Sequence, residues 1–273
     1  MSDKIKKINI KELFMEKNPR FAKIIPGFVY RFISKILHLK EINEIIEKYG
    51  QLRGMEFIEN VIDYFNVSQK TIGLENIPKE GRFIFASNHP IGGFDALLLM
   101  ENVYKKKGDL RFLVNDVLMK IPQLKDLFLP INKYGKNSKK DVQLLEKQYQ
   151  SDLQILIFPS GLASRKIKGE IMDTPWRPHF IKKAIQYQRD IIPVHISGRN
   201  SNFFYSLAHL RIFFHLKTNI ESFLLPNESF RQRNKEIILS FGKPIPYTTF
   251  TKGKSLRKWT KKVKEISYNL PLS

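Results

Sequence analysis

With 273 residues, of which 42% are hydrophobic and 12% aromatic, the chain has enough apolar side chain to bury a sizeable core, and global disorder is excluded. The absence of cysteine excludes disulfides, thiolate metal sites and a cysteine nucleophile. The net charge of +21 is concentrated toward the end of the chain, where residues 181–273 carry 17 basic and 5 acidic side chains, and such an excess attracts a polyanion, either nucleic acid or an anionic membrane.

The apolar pattern predicts an N-terminal helical segment over residues 1–67 and a second domain over residues 68–273. Apolar residues recur at helical spacing in the first segment, whereas in the second short apolar runs alternate with helical patterns. Strands are predicted near 71–74 and at 83–87, 110–114, 153–158, 191–196 and 236–241, and helices near 95–106, 138–150, 178–188, 201–215 and 254–269. This alternation predicts an α/β fold with a mixed, mostly parallel central sheet flanked by helices.

No part of the sequence has the ~20 consecutive apolar residues that span a bilayer, and its first residues lack the apolar core of a signal peptide. Two predicted helices have instead the composition of helices that lie on a membrane surface. The stretch 203–214 is unusually aromatic, and the C-terminal helix places an apolar stripe with Trp259 among lysines and arginines. Packing of either face on the domain is the alternative. We therefore expect a peripheral protein that binds an anionic membrane surface at its cytoplasmic face.

The segment 87–95 is the strongest indication of chemistry in the chain. It follows a predicted strand, contains two adjacent glycines and precedes a predicted helix, and ligands bind at the carboxyl ends of strands in open α/β sheets. His89 and Asp95 lie in this segment, and a carboxylate beside a histidine fixes its tautomer and makes it a better base. The alternative is a core histidine followed by an aspartate that only caps the helix.

Three further segments combine an apolar run with small, polar or basic residues: 129–138, 155–166 and 191–200. In 155–166, small residues follow the predicted strand, and they allow backbone N–H groups to approach an anion. Arg165, at the end of the same segment, can bind a phosphate or carboxylate through two hydrogen bonds.

The four segments, in this order, resemble the motifs of the glycerolipid acyltransferase family, whose members acylate lysophosphatidic acid and related lipids. The first motif of the family, Asn-His followed after a short spacer by Asp, is matched by Asn88, His89 and Asp95. Lys133 loosely matches the basic residue that ends the second motif. The resemblance covers roughly residues 70–245. It implies a glycerol-3-phosphate acyltransferase-like fold, with the second domain as the catalytic domain.

The third motif of the family, Phe-Pro-Glu-Gly-Thr-Arg-Ser, is matched by residues 158–161 and then by Ser164 and Arg165, but Ser160 stands where the family has Glu. The fourth, an apolar strand with Pro-Val, is matched by residues 192–194. The spacer of the first motif is also one residue longer than is usual. Both departures resemble the branch that O-acylates lyso-amino-acid lipids, such as ornithine or glycine lipids. The implied acceptor is therefore a lyso-amino-acid lipid or lysophosphatidic acid.

The resemblance implies an enzyme of membrane lipid biosynthesis that moves a fatty acyl group from acyl-CoA or acyl-carrier protein to the hydroxyl of such a lyso-lipid. His89 would take the hydroxyl proton as a general base, and Asp95 would orient the imidazole. Glycine N–H groups would hold the oxyanion, and Lys133 and Arg165 would bind the anionic head of the acceptor or the phosphates of the carrier. Neither a metal nor a cofactor besides the acyl donor is expected. The implied binding residues are Asn88, Gly92, Gly93, Lys133, Ser160, Gly161, Ser164 and Arg165.

Two other functions stay open on the sequence alone. A basic nucleic-acid-binding protein would explain the charge, but no nucleic-acid-binding motif is present, and we expect no nucleic-acid partner. A hydrolase of acyl thioesters would use the same histidine and aspartate to activate water, although the Gly-x-Ser-x-Gly elbow of serine hydrolases is absent.

Overall fold

The computed structural model of the chain describes residues 7–17, 19–115, 118–131, 139–216, 218–251, 253 and 255–273. The described residues before the first strand are mostly helical, as predicted. They form α1 (Ile10–Lys17), α2 (Pro19–Ile24), α3 (Gly27–Ile36), α4 (Leu39–Tyr49) and α5 (Gly54–Phe65). The buried apolar residues of α5 recur at three- and four-residue spacing, which turns them all toward the core.

After α5 the strands and helices alternate. The strands are β1 (Ser68–Ile72), β2 (Phe83–Ser87), β3 (Leu110–Val114), β4 (Phe128–Pro130), β5 (Gln154–Ile157), β6 (Arg165–Ile167), β7 (Glu170–Met172), β8 (Asp190–Ile196) and β9 (Glu236–Phe241). The helices are α6 (Gly93–Lys107), α7 (Lys139–Gln150), α8 (His179–Tyr187), α9 (Asn202–Phe213), α10 (Leu225–Phe230) and α11 (Leu256–Tyr268). Short 3-10 turns occupy 74–76, 118–120, 122–127, 220–224 and 247–251.

The central sheet has the strand order β1–β9–β8–β2–β5–β3–β4 among the described residues. Neighbouring strands run parallel except β8 and β9, which are antiparallel. β6 and β7 form a separate antiparallel hairpin. The mixed, mostly parallel sheet that the sequence predicts is therefore confirmed.

The strand β2 is buried along its whole length because it lies in the middle of the sheet with helices on both faces. Phe83 and Phe85 pack into the core that includes α5 and α6, and Ile84 and Ala86 pack into the core that includes α8 and α11. The loop that follows this strand is thereby fixed to a rigid element.

The structure differs from the predicted elements at four places. The first strand is β1 and ends at Ile72, because Gly73 adopts a left-handed φ of 76°, and a Cβ there would lie 2.2 Å from the carbonyl oxygen of Phe241. The short strand β4, the β6–β7 hairpin and the helix α10 are not among the predicted elements. Each strand of this group has three residues and the helix has six, which is too short to show a clear apolar period.

The apolar stripe of α11 lies against the domain. Val263 is buried, and Leu256 and Trp259 pack against the core formed with α8 and β8. The packing alternative therefore applies to the C-terminal helix, and its apolar side chains do not form a surface for a membrane. Among the described residues, no helix is both long and apolar enough to cross a bilayer.

Candidate active site

The site is built at the carboxyl edge of the parallel strands. β5 and β8 are the parallel neighbours of β2, so the loops that follow these three strands lie side by side at one edge of the sheet. They carry residues 88–92, 158–164 and 197–201, which include most of the residues singled out from the sequence. This edge is where ligands bind in open α/β sheets.

His89 and Asp95 form a hydrogen-bonded pair. The His89 Nδ1 atom lies 3.0 Å from Oδ2 of Asp95, whose side chain is fully buried in the first turn of α6. The same oxygen accepts hydrogen bonds from the backbone N–H groups of Ile91 and Gly92 at 3.0 and 3.2 Å. Oδ2 of Asp95 thus accepts three hydrogen bonds, and in the bond with His89 the donor is Nδ1 of the imidazole. In the neutral ring this leaves Nε2 unprotonated, which is the form of a general base.

The imidazole is held from a second direction by Phe158. The two rings stack with their centroids 4.0 Å apart and an angle of 18° between their planes. Phe158 follows β5 directly, so the neighbouring strand supplies the surface on which the His89 ring lies. The side chain of His89 stays 16% exposed, so the ring is largely buried but still reached by solvent.

Asn88 extends the pairing of β2 with β8 by one residue. Its side-chain N–H donates to the carbonyl of Ile196 at 2.9 Å, and its side-chain oxygen accepts the Ile196 N–H at 2.7 Å. The buried amide thus imitates a peptide group of the sheet. The contacts assign Asn88 to fixing the start of the His89 loop, where the resemblance implied a substrate contact.

The glycines of the site differ in what their N–H groups do. The N–H of Gly92 donates to Asp95, and that of Gly161 donates to the carbonyl of Phe158 at 2.9 Å, so both are engaged within the loops. Gly92 has a φ of 116°, and a Cβ there would lie 2.7 Å from a methyl carbon of Leu225. Gly93 is exposed and opens α6, where the first N–H groups have no acceptor within the helix. Of the three, only Gly93 is placed to offer its N–H to an oxyanion.

The third motif forms a buried turn. Ser160 is buried, and its hydroxyl donates to the carbonyl of Leu162 at 2.8 Å. Ser164 donates its backbone N–H to the carbonyl of His89 at 2.7 Å and is also buried. Both serines therefore shape the loops around the histidine.

Arg165 points into the protein and not into the opening beside His89. Its guanidinium lies 2.8 Å from the carboxylate of Glu221, which is fully buried, and it stacks over the ring of Phe204. Arg211 pairs with the other oxygen of Glu221 at 3.0 Å. Burial lowers the pKa of Arg165, and the attraction of Glu221 partly offsets this. Glu221 thus holds one side of the guanidinium, and the direct contact of Arg165 with an anionic ligand stays a prediction.

Lys133, which was expected to bind an anionic group, lies outside the described residues. Within the part of the chain that the structure describes, no group of three or more histidine or acidic side chains is arranged to hold a metal ion.

The stacking of Phe158 on His89 and the ion pair of Glu221 with Arg165 were not predicted from the sequence, since both depend on contacts between distant segments.

Comparison with known proteins finds one family over nearly the full length of the chain. A family model described as acyltransferase matches residues 12–273. A lyso-glycine lipid O-acyltransferase of Bacteroides thetaiotaomicron is 40% identical over 264 residues, which cover 96% of this chain and 97% of that protein. A lyso-glycine lipid O-acyltransferase of Phocaeicola vulgatus is 38% identical over 269 residues, 98% of this chain and 96% of that protein.

A solved structure has a similar fold. The crystal structure of the 1-acyl-sn-glycerophosphate (LPA) acyltransferase PlsC from Thermotoga maritima matches with a TM-score of 0.50 and 18% identity, over 94% of this chain and 92% of that one. The likeness is one of fold, and it agrees with the glycerol-3-phosphate acyltransferase-like architecture expected from the motifs.

Proposed function

The chain belongs to the acyltransferase family, and we propose that it moves a fatty acyl group from a thioester donor to the hydroxyl of a single-chain lipid with an amino-acid headgroup. The observation that carries the proposal is the His89–Asp95 pair, held at the carboxyl edge of the sheet with Nε2 of the imidazole as the available base. Family membership confirms the predicted enzyme class, acyltransferase, over the alternative of a protein that only binds nucleic acid.

The pair can perform the transfer without an acyl-enzyme. The acceptor hydroxyl attacks the thioester carbonyl while Nε2 of His89 takes its proton, so that a C–O bond forms and a tetrahedral oxyanion develops. Asp95 stabilises the imidazolium that results. The oxyanion then collapses, the C–S bond breaks, and the imidazolium returns the proton to the leaving thiolate. A base held in this way contributes about 10²–10⁴-fold to the rate.

The backbone N–H of Gly93 is the donor we propose for the oxyanion. It lies at the exposed N-terminus of α6, two residues before Asp95, where the helix dipole also favours negative charge. The N–H groups of Gly92 and Gly161 are already bonded within the loops. An oxyanion donor of this kind is worth about 10²–10³ in kcat.

The acceptor class is supported by the two relatives named for lyso-glycine lipid. Recognition of a phosphate by arginine relies on two parallel hydrogen bonds from the guanidinium. In this chain one side of the guanidinium bonds to Glu221, and the other donates to the carbonyl of Ala163. This arrangement disfavours recognition of a phosphate or a carboxylate headgroup by Arg165, so the preference for lyso-amino-acid lipids over lysophosphatidic acid that we propose rests on the two relatives.

The place of action we propose is an anionic membrane surface at the cytoplasmic face. The helix α9 begins next to the loop 197–201 at the active-site edge, and its outer side is apolar. We define the α9 patch as Phe203, Leu210, Phe213 and Phe214, which are between 52% and 74% exposed. Contiguous exposed apolar surface of this kind marks an interaction site.

The helix α3 carries further exposed apolar side chains. Phe28 and Phe32 lie one turn apart and are exposed, while Ile36 of the same helix packs against the buried cluster that includes Phe204 and Tyr205 of α9. The chain as a whole carries a net charge of +21, which complements an anionic bilayer. Lipid acceptors in such a bilayer would then lie next to the edge of the sheet that bears His89.

The proposal is tested with purified protein and a matrix of donors and acceptors. Acyl-CoA and acyl-carrier protein are each combined with lyso-glycine lipid, lyso-ornithine lipid and lysophosphatidic acid, and the ester product and free fatty acid are quantified by mass spectrometry. Ester formation that is fastest with a lyso-amino-acid lipid is expected. Equal or faster turnover of lysophosphatidic acid would contradict the acceptor class, and release of free fatty acid alone would indicate a hydrolase.

A further inference from the structure

The carboxylate of Asp173 lies beneath the catalytic loop and is not used in the reaction as described. Asp173 follows β7 directly and is 1% exposed. Its Oδ1 atom accepts the backbone N–H of His89 at 3.2 Å and the hydroxyl of Ser164 at 2.6 Å. Its Oδ2 atom accepts the indole N–H of Trp176 at 2.8 Å. All of these partners are donors, so the carboxylate is fully engaged by groups around His89.

The N–H and the carbonyl of the His89 backbone are held by two residues that are bonded to each other, Asp173 and Ser164. Asp173 accepts the His89 N–H, and the backbone N–H of Ser164 donates to the His89 carbonyl at 2.7 Å. The hydroxyl of Ser164 joins the two by its bond to Asp173. Asp95 and Phe158 orient the ring, whereas Asp173 and Ser164 fix the backbone from which the ring projects.

The C-terminal helix supports Asp173 from behind. The hydroxyl of Tyr268 accepts the backbone N–H of Asp173 at 2.7 Å, and Lys264 donates its ammonium to the backbone carbonyl at 2.6 Å. Burial and the negative charge of Asp173 raise the pKa of Tyr268, so its hydroxyl stays protonated. Burial lowers the pKa of Lys264, and the charge of Asp173 opposes this. Through these bonds to Asp173, the helix α11 supports the loop that carries His89.

We propose that Asp173 is a positioning residue for acyl transfer, which acts through the backbone of His89 and through Ser164, and this inference rests on the proposed function. Asp173 touches neither substrate nor reacting atoms in this role. Its loss leaves the His89–Asp95 bond possible but releases the backbone that sets the distance from Nε2 to the acceptor hydroxyl. A displacement of about 1 Å at a reacting group costs on the order of 10²-fold in rate.

The variant that tests the role is Asp173→Asn. The amide keeps the volume but has a single acceptor oxygen for donors on two sides. Whichever way it turns, its NH₂ group faces a donor, either the indole N–H of Trp176 or the groups of His89 and Ser164, and this contact displaces the side chain from the His89 backbone. We expect kcat to fall at least about tenfold while KM for the acceptor changes by less than about threefold, because the acceptor itself loses no contact. The control is Glu101→Gln on α6, a buried carboxylate bonded to Gln69 and Lys105, for which kcat stays at the wild-type value.

A second variant separates positioning from stability. In Asp173→Asn combined with Trp176→Phe, the indole N–H that opposes the new amide is gone, so the Asn oxygen can again accept from His89. We expect kcat to recover in part even though the melting temperature falls further, since Trp176 is buried against Phe180. A merely structural role predicts that activity falls together with stability in this double variant, and that result would overturn the inference.

The remaining outcomes are also decisive. A folded Asp173→Asn protein whose kcat equals that of Glu101→Gln overturns the positioning role and leaves the proposed function standing. If Asp173→Asn does not fold, Ser164→Ala takes its place, with a loss in kcat expected and a wild-type kcat contradicting the role. A wild-type protein that transfers acyl groups to none of the lyso-lipids tested overturns the proposed function and the positioning role together.

Discussion

Oδ2 of Asp95 accepts the Nδ1 proton of His89 at 3.0 Å while it also accepts two backbone N–H groups of the loop between them. The loop and the His89–Asp95 pair are therefore set by the same atom. The carboxylate at the start of α6 bonds to the loop as a capping residue does, and it also orients the imidazole of His89, so the capping interpretation does not exclude the catalytic role that we propose for it.

Replacement of Asp95 by Asn tests this double role. The amide oxygen can still accept from the loop, but the charge that stabilises the imidazolium is gone. We expect kcat to fall by about 10²–10⁴-fold. The measurement is steady-state acyl transfer beside a thermal melt, and Asp95→Ala serves as the comparison that also loses the loop contacts. A folded Asp95→Asn protein with wild-type kcat would leave Asp95 with a capping role only.

Gly93 provides a test of the oxyanion donor with a matched pair. Proline at the first position of a helix removes the N–H and otherwise fits, whereas alanine keeps the N–H. An added Cβ at this position meets no atom within 4 Å. We expect Gly93→Pro to lower kcat by about 10²–10³-fold and Gly93→Ala to leave it close to wild type. Equal activity of the two variants would exclude this N–H as the donor.

The free energy of unfolding should depend on pH through two histidines, the half-buried His195 and, to a smaller extent, the more exposed His179. Burial lowers the pKa of His195 and His179 below the usual value of 6.5. Below that pH the unfolded chain binds protons that the folded protein resists, so stability falls as the pH drops below about 6.5 and is unaffected by these groups above it. Urea unfolding at pH 7.5, 6.5 and 5.5 measures the loss. The variant His195→Gln should lose less stability over this range, and an unchanged pH dependence would contradict the assignment.

Membrane binding should have a part that salt screens and a part that it does not. Charges are screened over about 8 Å at physiological ionic strength, whereas burial of apolar side chains is not screened. Replacing the four residues of the α9 patch by Ser should remove the salt-resistant part of binding to anionic vesicles. The control replaces Val142 and Leu144, exposed apolar residues of α7, and should bind like wild type. Equal binding of the two variants would exclude the α9 patch as the docking surface.

The central strands and the pairing of His89 with Asp95 could be predicted because their signals are local. β2 and β8 each contain an apolar run of four residues, and His89 and Asp95 fall within one nine-residue segment. The surroundings of Arg165 could not be predicted, since Glu221 lies 56 positions away in the sequence and reaches it only in the folded chain. The bond between Asp173 and the His89 backbone spans 84 positions. Whether the apolar face of a helix packs on the domain also depends on distant segments. The apolar stripe of α11 is packed on the core, whereas several apolar side chains of α9 are exposed.

Acyl transfer by the His89→Ala variant tests catalysis by the His89–Asp95 pair most directly. Wild-type and variant protein, matched for folding by circular dichroism and melting temperature, are assayed with the preferred thioester donor and a lyso-amino-acid lipid, and the ester product is quantified. We expect the variant to bind the acceptor but to form ester at least about 10²-fold more slowly than wild type. A folded variant that forms ester within about tenfold of the wild-type rate would contradict catalysis by the His89–Asp95 pair.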